Sequence, residues 1–200
     1  ILEYGFGFTV ITKSDRILRD LDLLQQINEK TKCVVQMTLT TYEEALCRKI
    51  EPNVCTTRKR FVVLKRLRDA GIPTVVWLSP VLPYLNDTEA NISGILDLCA
   101  EAGVYGVICF GMGLTLREGN RAYFYKQLDR LFPGLKELYM EKYADQYVIE
   151  SPNSRRLMQL FHETCSARHM VHQNEQIFTY LQTFEEKGSA EQLTLWNFTL

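Results

Sequence analysis

The sequence predicts an α/β protein with about four parallel β-strands followed by a C-terminal helical region. Two observations favour this fold class. Four short runs rich in β-branched and aromatic residues alternate with segments whose apolar residues recur at helical spacing, which is typical of βαβ units. Beyond residue 116 no strand pattern is visible and helical periodicity continues. The four runs are 7–11, 33–37, 74–78 and 105–110.

Helical patterns follow each run. The first is 16–27, with Asp15 placed to cap it, and the second run leads to a short helix over 42–47. Another helix begins at Thr56 or Thr57, and Thr88 and Gly103 bound a helix over 89–102. Further helices are predicted at 118–131, 134–144, 153–169 and 173–186, with a short extended or helical tail at 191–200.

Composition is that of an ordinary globular protein, with 200 residues, 46% hydrophobic and 24% charged. The net charge of -1 and the lack of a basic block argue against general electrostatic binding to nucleic acid, although a local basic groove stays open. No apolar stretch approaches the roughly 20 residues that cross a bilayer, and no signal-peptide pattern is present. We therefore expect no membrane partner.

Six cysteines are present, and most fall inside predicted strands or helices. A chain of this length does not need disulfides to stabilise its core, so reduced thiols and a cytoplasmic location are expected. The residues His162, Cys165, His169 and His172 share one helical stripe, but they spread over about 15 Å at 1.5 Å per residue. One ion can reach only two of them, so no metal site is expected.

Four strands cannot close a barrel, which typically needs about eight. The pattern therefore indicates a partial (β/α) barrel or a small open sheet over residues 1–115, with a helical extension over 116–200. In either arrangement the sheet has an exposed edge. We expect the chain to cover it by forming a homodimer or by folding its N-terminus over it.

The carboxyl ends of parallel strands are where such folds place their chemistry. Lys13 stands at the first of these ends, where a lysine can bind a carboxylate or phosphate, or form a Schiff base if its amine is neutral. A solvated loop lysine is an equal alternative. Thr38, Thr40 and Thr41 offer hydroxyl groups after the second strand, although threonine is also a common strand and capping residue. Ser79 and Pro80 follow the third strand, where they either form a stiff wall against a ligand or simply end the strand.

Several motifs resemble radical S-adenosylmethionine (SAM) proteins of the spore photoproduct lyase-like group. The first is TKSDRILRDLDLL at 12–24, and the second is SPVLPYLND at 79–87. The similarity covers nearly the whole chain, in the order of the group. Further matching segments are 37–41, 49–53, Arg60, 70–73, 114–121, 132–135, 151–153 and 191–193.

This resemblance implies a partial (β/α)6 barrel that binds SAM and a 4Fe-4S cluster. Reductive cleavage of SAM would then give a 5'-deoxyadenosyl radical that abstracts hydrogen from a substrate. By the same resemblance, Lys13 contacts the methionine carboxylate of SAM, Thr38 lies near SAM, and Ser79 belongs to the wall beside the adenosine. The substrate stays open, with nucleic acid as one class, and DNA repair does not follow from the name of the group.

One departure from the group is decisive. The C-x3-C-x2-C loop that holds the cluster is absent, together with the first two βα units of the barrel. We therefore expect a C-terminal fragment that binds no cluster and is inactive alone. Two other interpretations stay open, namely a Schiff-base, aldolase-like barrel enzyme that uses Lys13 and a non-enzymatic interaction module.

Overall fold

The computed structural model describes residues 1–184. Four strands form one parallel sheet, in the sequential order β1-β2-β3-β4. They are β1 (Phe8–Thr12), β2 (Cys33–Thr38), β3 (Thr74–Trp77) and β4 (Gly106–Ile108). The α/β class and the four parallel strands are thus confirmed, with each strand within a few residues of its predicted run. The predicted tail at 191–200 and the last two residues of the helix at 173–186 lie outside the described residues.

Eight α-helices are present in the described part of the chain. The connections between the strands contain α1 (Leu21–Lys30), α2 (Glu44–Ile50), α3 (Thr57–Asp69) and α4 (Glu89–Ala102). The C-terminal half contains α5 (Asn120–Leu131), α6 (Leu135–Tyr143), α7 (Ser154–Ala167) and α8 (Asn174–Gln182). None of the described helices is both long and apolar enough to cross a bilayer.

The predicted helix over 16–27 is wrong in its first half. Residues Asp15–Asp20 form a 3₁₀ helix, and α1 begins only at Leu21. Ser14, rather than Asp15, provides the cap, since its side chain accepts a hydrogen bond from the Arg16 N–H at 3.2 Å. Apolar residues spaced by three suit a 3₁₀ helix as well as an α-helix, so periodicity alone does not distinguish them.

The prediction that strands end before residue 116 is also wrong. A second, antiparallel sheet pairs β5 (Gly113–Thr115) with β6 (Val148–Glu150). Both strands have only three residues, too few to show a period. Gly113 is needed there, because an added Cβ would lie 2.2 Å from the carbonyl oxygen of Ile149. The proposed division at 115/116 stays a prediction.

The two faces of the parallel sheet differ in what covers them. Every second side chain of β2, such as those of Val35 and Met37, points to one face and packs with apolar residues of α1, α3, α4 and α7 in one large core. The opposite face carries Val34 and Val75, which pack against Ile177 of α8. α1, α3 and α4, which lie between successive strands, therefore share one face of the sheet. A third cluster joins α5, α6 and the small sheet.

β1 is an edge strand. Among the described residues it pairs only with β2, and its Ile11 is 55% exposed. The expectation that the N-terminus folds over this edge is wrong, because residues 1–6 form a turn in which the Tyr4 and Phe6 N–H groups both donate to the Ile1 carbonyl at 3.2 Å. Backbone groups along one side of β1 are thus left open.

Candidate active site at the carboxyl edge of the sheet

Lys13 follows β1 directly and is held by a neighbouring carboxylate. Its ammonium group forms an ion pair with Oε1 of Glu51, the residue that ends α2. The second oxygen of Glu51 accepts a hydrogen bond from Nη2 of Arg60 at 2.8 Å. The Glu51 side chain is only 13% exposed, whereas that of Lys13 is 38% exposed. Glu51 therefore bridges two cations at the boundary between core and solvent.

Arg60 connects this ion pair to the end of β2. It belongs to α3 and is completely buried, and its Nη1 donates to the Thr38 carbonyl at 2.9 Å. The guanidinium Nε is buried without a hydrogen-bond partner among the described residues. A continuous chain of contacts therefore runs from Lys13 through Glu51 and Arg60 to Thr38, which brings two of the three predicted site residues together.

The loop after Thr38 has a structural role. Asn86 and Asn91 both donate to the Thr40 carbonyl, at 2.8 and 2.9 Å. The hydroxyl of Thr41 accepts from the amide of Asn86 at 3.1 Å, and the Thr41 carbonyl accepts from Thr57 at 2.6 Å. Both threonines are buried, so their polar groups fix the loop against α3 and α4 instead of facing a ligand.

Ser79 is separate from Lys13. It is half-buried, precedes a cis proline, and lines an open cavity of about 370 Å³ together with Phe110 and Arg117. Lys13 lines a different open cavity, of about 890 Å³, beside the 3₁₀ helix and the start of α3. Because β2 lies between them, the strands that Lys13 and Ser79 follow are about 10 Å apart, at about 4.8 Å per strand.

Basic side chains outnumber acidic ones in the lining of the cavity beside Lys13. Its cations are Lys13, Arg16, Arg48, Arg58 and Lys59, against the two acids Asp15 and Glu44. Asp15 binds Lys59 at 2.6 Å, and its carboxylate also accepts from the Cys55 thiol at 3.2 Å. The hydrogen bonds from Lys59 and then Cys55 lower the pKa of Asp15. The surroundings of this cavity therefore favour anions.

A row of side-chain hydrogen bonds across the sheet, called the polar ladder below, is not predicted from the sequence. On the sheet face that α8 partly covers, the side-chain amide of Gln36 donates to the Thr9 hydroxyl at 2.8 Å and accepts from the Trp77 indole N–H at 2.7 Å. The ladder ties three adjacent strands together. The only sign of this ladder in the sequence is Gln36, the one amide in an otherwise apolar run. The partners of Gln36 are 27 and 41 residues away, so the sequence does not identify them.

Most of the cysteines are part of the core. Five of the six are buried, and Cys55 alone is partly exposed. Burial raises the pKa of Cys33 to about 11 and that of Cys165 to about 12. A thiol must lose its proton to bind iron, so such sites are poor cluster ligands. Within residues 1–184 no group of three His, Cys, Asp or Glu side chains is arranged to hold a metal ion.

Comparison with known proteins finds relatives without a stated activity. A protein of Mycobacterium tuberculosis, named as uncharacterized, is 32% identical over 139 residues, which are 70% of this chain and 40% of the relative. An uncharacterized protein of the Acidianus two-tailed virus is 30% identical over 125 residues, 61% of this chain and 40% of that protein.

A third relative, an uncharacterized protein of Methanocaldococcus jannaschii, is 36% identical over 81 residues, or 40% of this chain and 30% of the relative. No family model and no solved structure matches the chain. The chain spans about 40% of the length of the first curated relatives. These proteins share sequence with the chain, and their names assign no activity to it.

Proposed function

We propose that this chain is part of a radical SAM enzyme of the spore photoproduct lyase-like group, in which Lys13 binds the carboxylate of SAM. The observation that carries the proposal is the position of the Lys13 ammonium. It stands at the carboxyl end of a parallel strand, half-exposed, with a single described partner. An ammonium donates hydrogen bonds, and a half-exposed ion pair exchanges readily, so Lys13 can donate to the carboxylate of a ligand.

The sheet topology supports a partial barrel. Sequential strand order, with α1, α3 and α4 on one face, is the arrangement of a barrel wall, whereas a doubly wound sheet reverses its strand order. The opposite face is partly covered by α8, which follows the last strand of the sheet. The open edge of β1 is where further strands of a barrel would add. The matching relatives are long enough to supply them, since the chain covers about 40% of their length.

The residues fit the two implied cofactors differently. Lys13 suits a carboxylate, and the Thr38 hydroxyl and the Ser79 loop supply polar and rigid surroundings on the neighbouring strands. The described cysteines do not suit a 4Fe-4S cluster, because most are buried and none form a ligand group. In this proposal the cluster ligands lie outside the chain, which is inactive alone. SAM and cluster together supply hydrogen-abstraction chemistry.

The substrate and location of the enzyme follow as parts of the same proposal. The basic cavity beside Lys13 favours an anionic substrate, and nucleic acid is a class that meets this requirement. The buried, unpaired cysteines fit a reducing compartment such as the cytoplasm. No observation at the site favours the aldolase-like alternative, since amine chemistry at Lys13 would require loss of its ion pair with Glu51.

Binding of SAM and of decarboxylated SAM tests the role of Lys13. The two ligands differ only in the carboxylate, so the wild-type chain should bind SAM more tightly. Lys13→Gln should remove most of this preference, with about a tenfold loss of SAM affinity, typical of one charge-assisted contact. Affinity for decarboxylated SAM should change little. Isothermal titration calorimetry provides the dissociation constants.

Lys65→Gln is the matched control, because Lys65 also forms an ion pair, with Glu101 at 3.0 Å, on the outer side of α3 and α4. It should leave both affinities unchanged. Equal loss of both ligands in Lys13→Gln, or no preference for SAM in the wild-type chain, would contradict the proposal. Borohydride trapping of a carbonyl compound on Lys13 would instead favour the aldolase-like enzyme.

A further inference from the structure

The charges around Lys13 do not balance. Two cations, Lys13 and Arg60, share the single carboxylate of Glu51, and the described residues give neither cation another acidic partner. The group therefore carries one excess positive charge in a partly buried place. Uncompensated charge away from water is costly, so a second carboxylate at this position would be favourable.

The two halves of the bridge differ in their surroundings. Arg60 is fully buried, and its contact with Glu51 lies on the protein side. Lys13 is 38% exposed, and its contact with Glu51 lies on the solvent side. A half-exposed ion pair contributes little and exchanges readily, whereas breaking a buried pair leaves an isolated charge in the core. An incoming anion therefore meets the weaker contact first.

Arg60 also fixes where Glu51 stands. The guanidinium is planar and rigid, and it binds the Thr38 carbonyl and the Glu51 carboxylate at the same time, at 2.9 and 2.8 Å. Its Nε has no described partner, which leaves the buried guanidinium dependent on Glu51 for compensation. Through Arg60, the Glu51 carboxylate therefore stays linked to the end of β2 whether or not it contacts Lys13.

From these contacts we infer that Glu51 is an internal carboxylate that competes with the ligand carboxylate for Lys13, and that Arg60 retains Glu51 when the ligand takes its place. Both are positioning residues. The inference rests on the proposed function, since it assigns a competitor at the same carboxylate site. The inference gives Glu51, in the 49–53 segment, a role in setting the affinity for the ligand. The position of Glu51 in the sequence does not indicate this role.

Glu51→Gln separates this role from a structural one. The glutamine oxygen can still accept from Arg60, but the charge that holds Lys13 is gone. Affinity for SAM should therefore rise at least threefold, while affinity for decarboxylated SAM stays unchanged. If Glu51 merely holds the fold together, the variant should weaken both ligands to the same extent, and that result would overturn the inference.

A matched control removes the same charge elsewhere. Glu101→Gln removes the ion pair of Lys65 on the far side of α3 and should alter neither affinity, which would exclude a general effect of net charge. A rise in SAM affinity in this control equal to that in Glu51→Gln would also overturn the inference. Circular dichroism and the free energy of unfolding show whether each variant keeps the native fold.

A second measurement does not depend on SAM. Free methionine carries the same carboxylate, and NMR shifts of the Lys13 ε-methylene report its binding. Methionine should titrate this signal at lower concentration in Glu51→Gln than in the wild-type chain. That result in a chain that binds no SAM would support the competition by Glu51 and contradict the proposed cofactor. An identical titration in both proteins would contradict the competition itself.

Discussion

Arg60 shows how far burial can depart from what its sequence context indicates. It lies in the run TRKR at the start of α3, which reads as a solvated basic segment, yet its side chain is completely buried. Its guanidinium donates hydrogen bonds to the Thr38 carbonyl and to Glu51, which are 22 and 9 residues away in the sequence. Sequence alone located Lys13 and Thr38 at neighbouring strand ends, but not the guanidinium that joins them.

The thiols provide a prediction at the same scale. Cys55 lies in the loop before α3, where its thiol donates to Asp15 and is partly exposed, whereas the other cysteines are buried. One thiol of the six should therefore react rapidly with Ellman's reagent at pH 8 in the native chain. Cys55→Ser should abolish this fast phase, and all six thiols should react in guanidinium chloride. Several fast thiols in the native chain would mean that the core is open.

Helix boundaries were predicted well where a local signal exists. α4 begins after Thr88, whose side chain accepts from the Asn91 N–H at 3.2 Å, and ends at Gly103, with a φ of 66°. Both signals act within a few residues, so the sequence displays them. The 3₁₀ helix and the β5–β6 pair were missed because their stability depends on packing and on distant partners.

Removal of the α4 cap tests this local control. Thr88→Ala should lower the free energy of unfolding by about 1 kcal/mol, because the Asn91 N–H loses its acceptor at the helix start. Thr56→Ala is the matched control, since Thr56 precedes α3 but makes no cap hydrogen bond, and its side chain instead bonds the exposed carboxylate of Glu44. The Thr56→Ala substitution should lower the free energy of unfolding by no more than about 0.5 kcal/mol. Urea denaturation measures both, and equal losses would show that the capping bond contributes nothing.

At the scale of the molecule, the open edge of β1 is the most exposed feature of the sheet. An unpaired strand edge with an exposed apolar residue is a template for a further strand, and longer relatives have additional chain that can provide one. We propose that the isolated chain uses this edge to form a homodimer, as expected from its sequence.

Ile11→Lys tests the dimer. A lysine on an edge strand opposes strand pairing, so the variant should sediment as a monomer at concentrations where the wild-type chain is dimeric. Leu23→Lys, which replaces another exposed apolar residue on α1, should leave the dimer intact. Analytical ultracentrifugation distinguishes the species. A wild-type chain that is monomeric over the whole concentration range would contradict the proposal.

The sequence by itself determined the α/β class, the four strands, and the position of Lys13, Thr38 and Ser79 at strand ends. These features follow from periodicity and local capping, which act over a few residues. Only the tertiary structure decided that Glu51 and Arg60 connect Lys13 to Thr38, and that Ser79 lines another cavity. Long-range contacts of buried polar groups depend on how the helices pack on the sheet, and no local pattern encodes that packing.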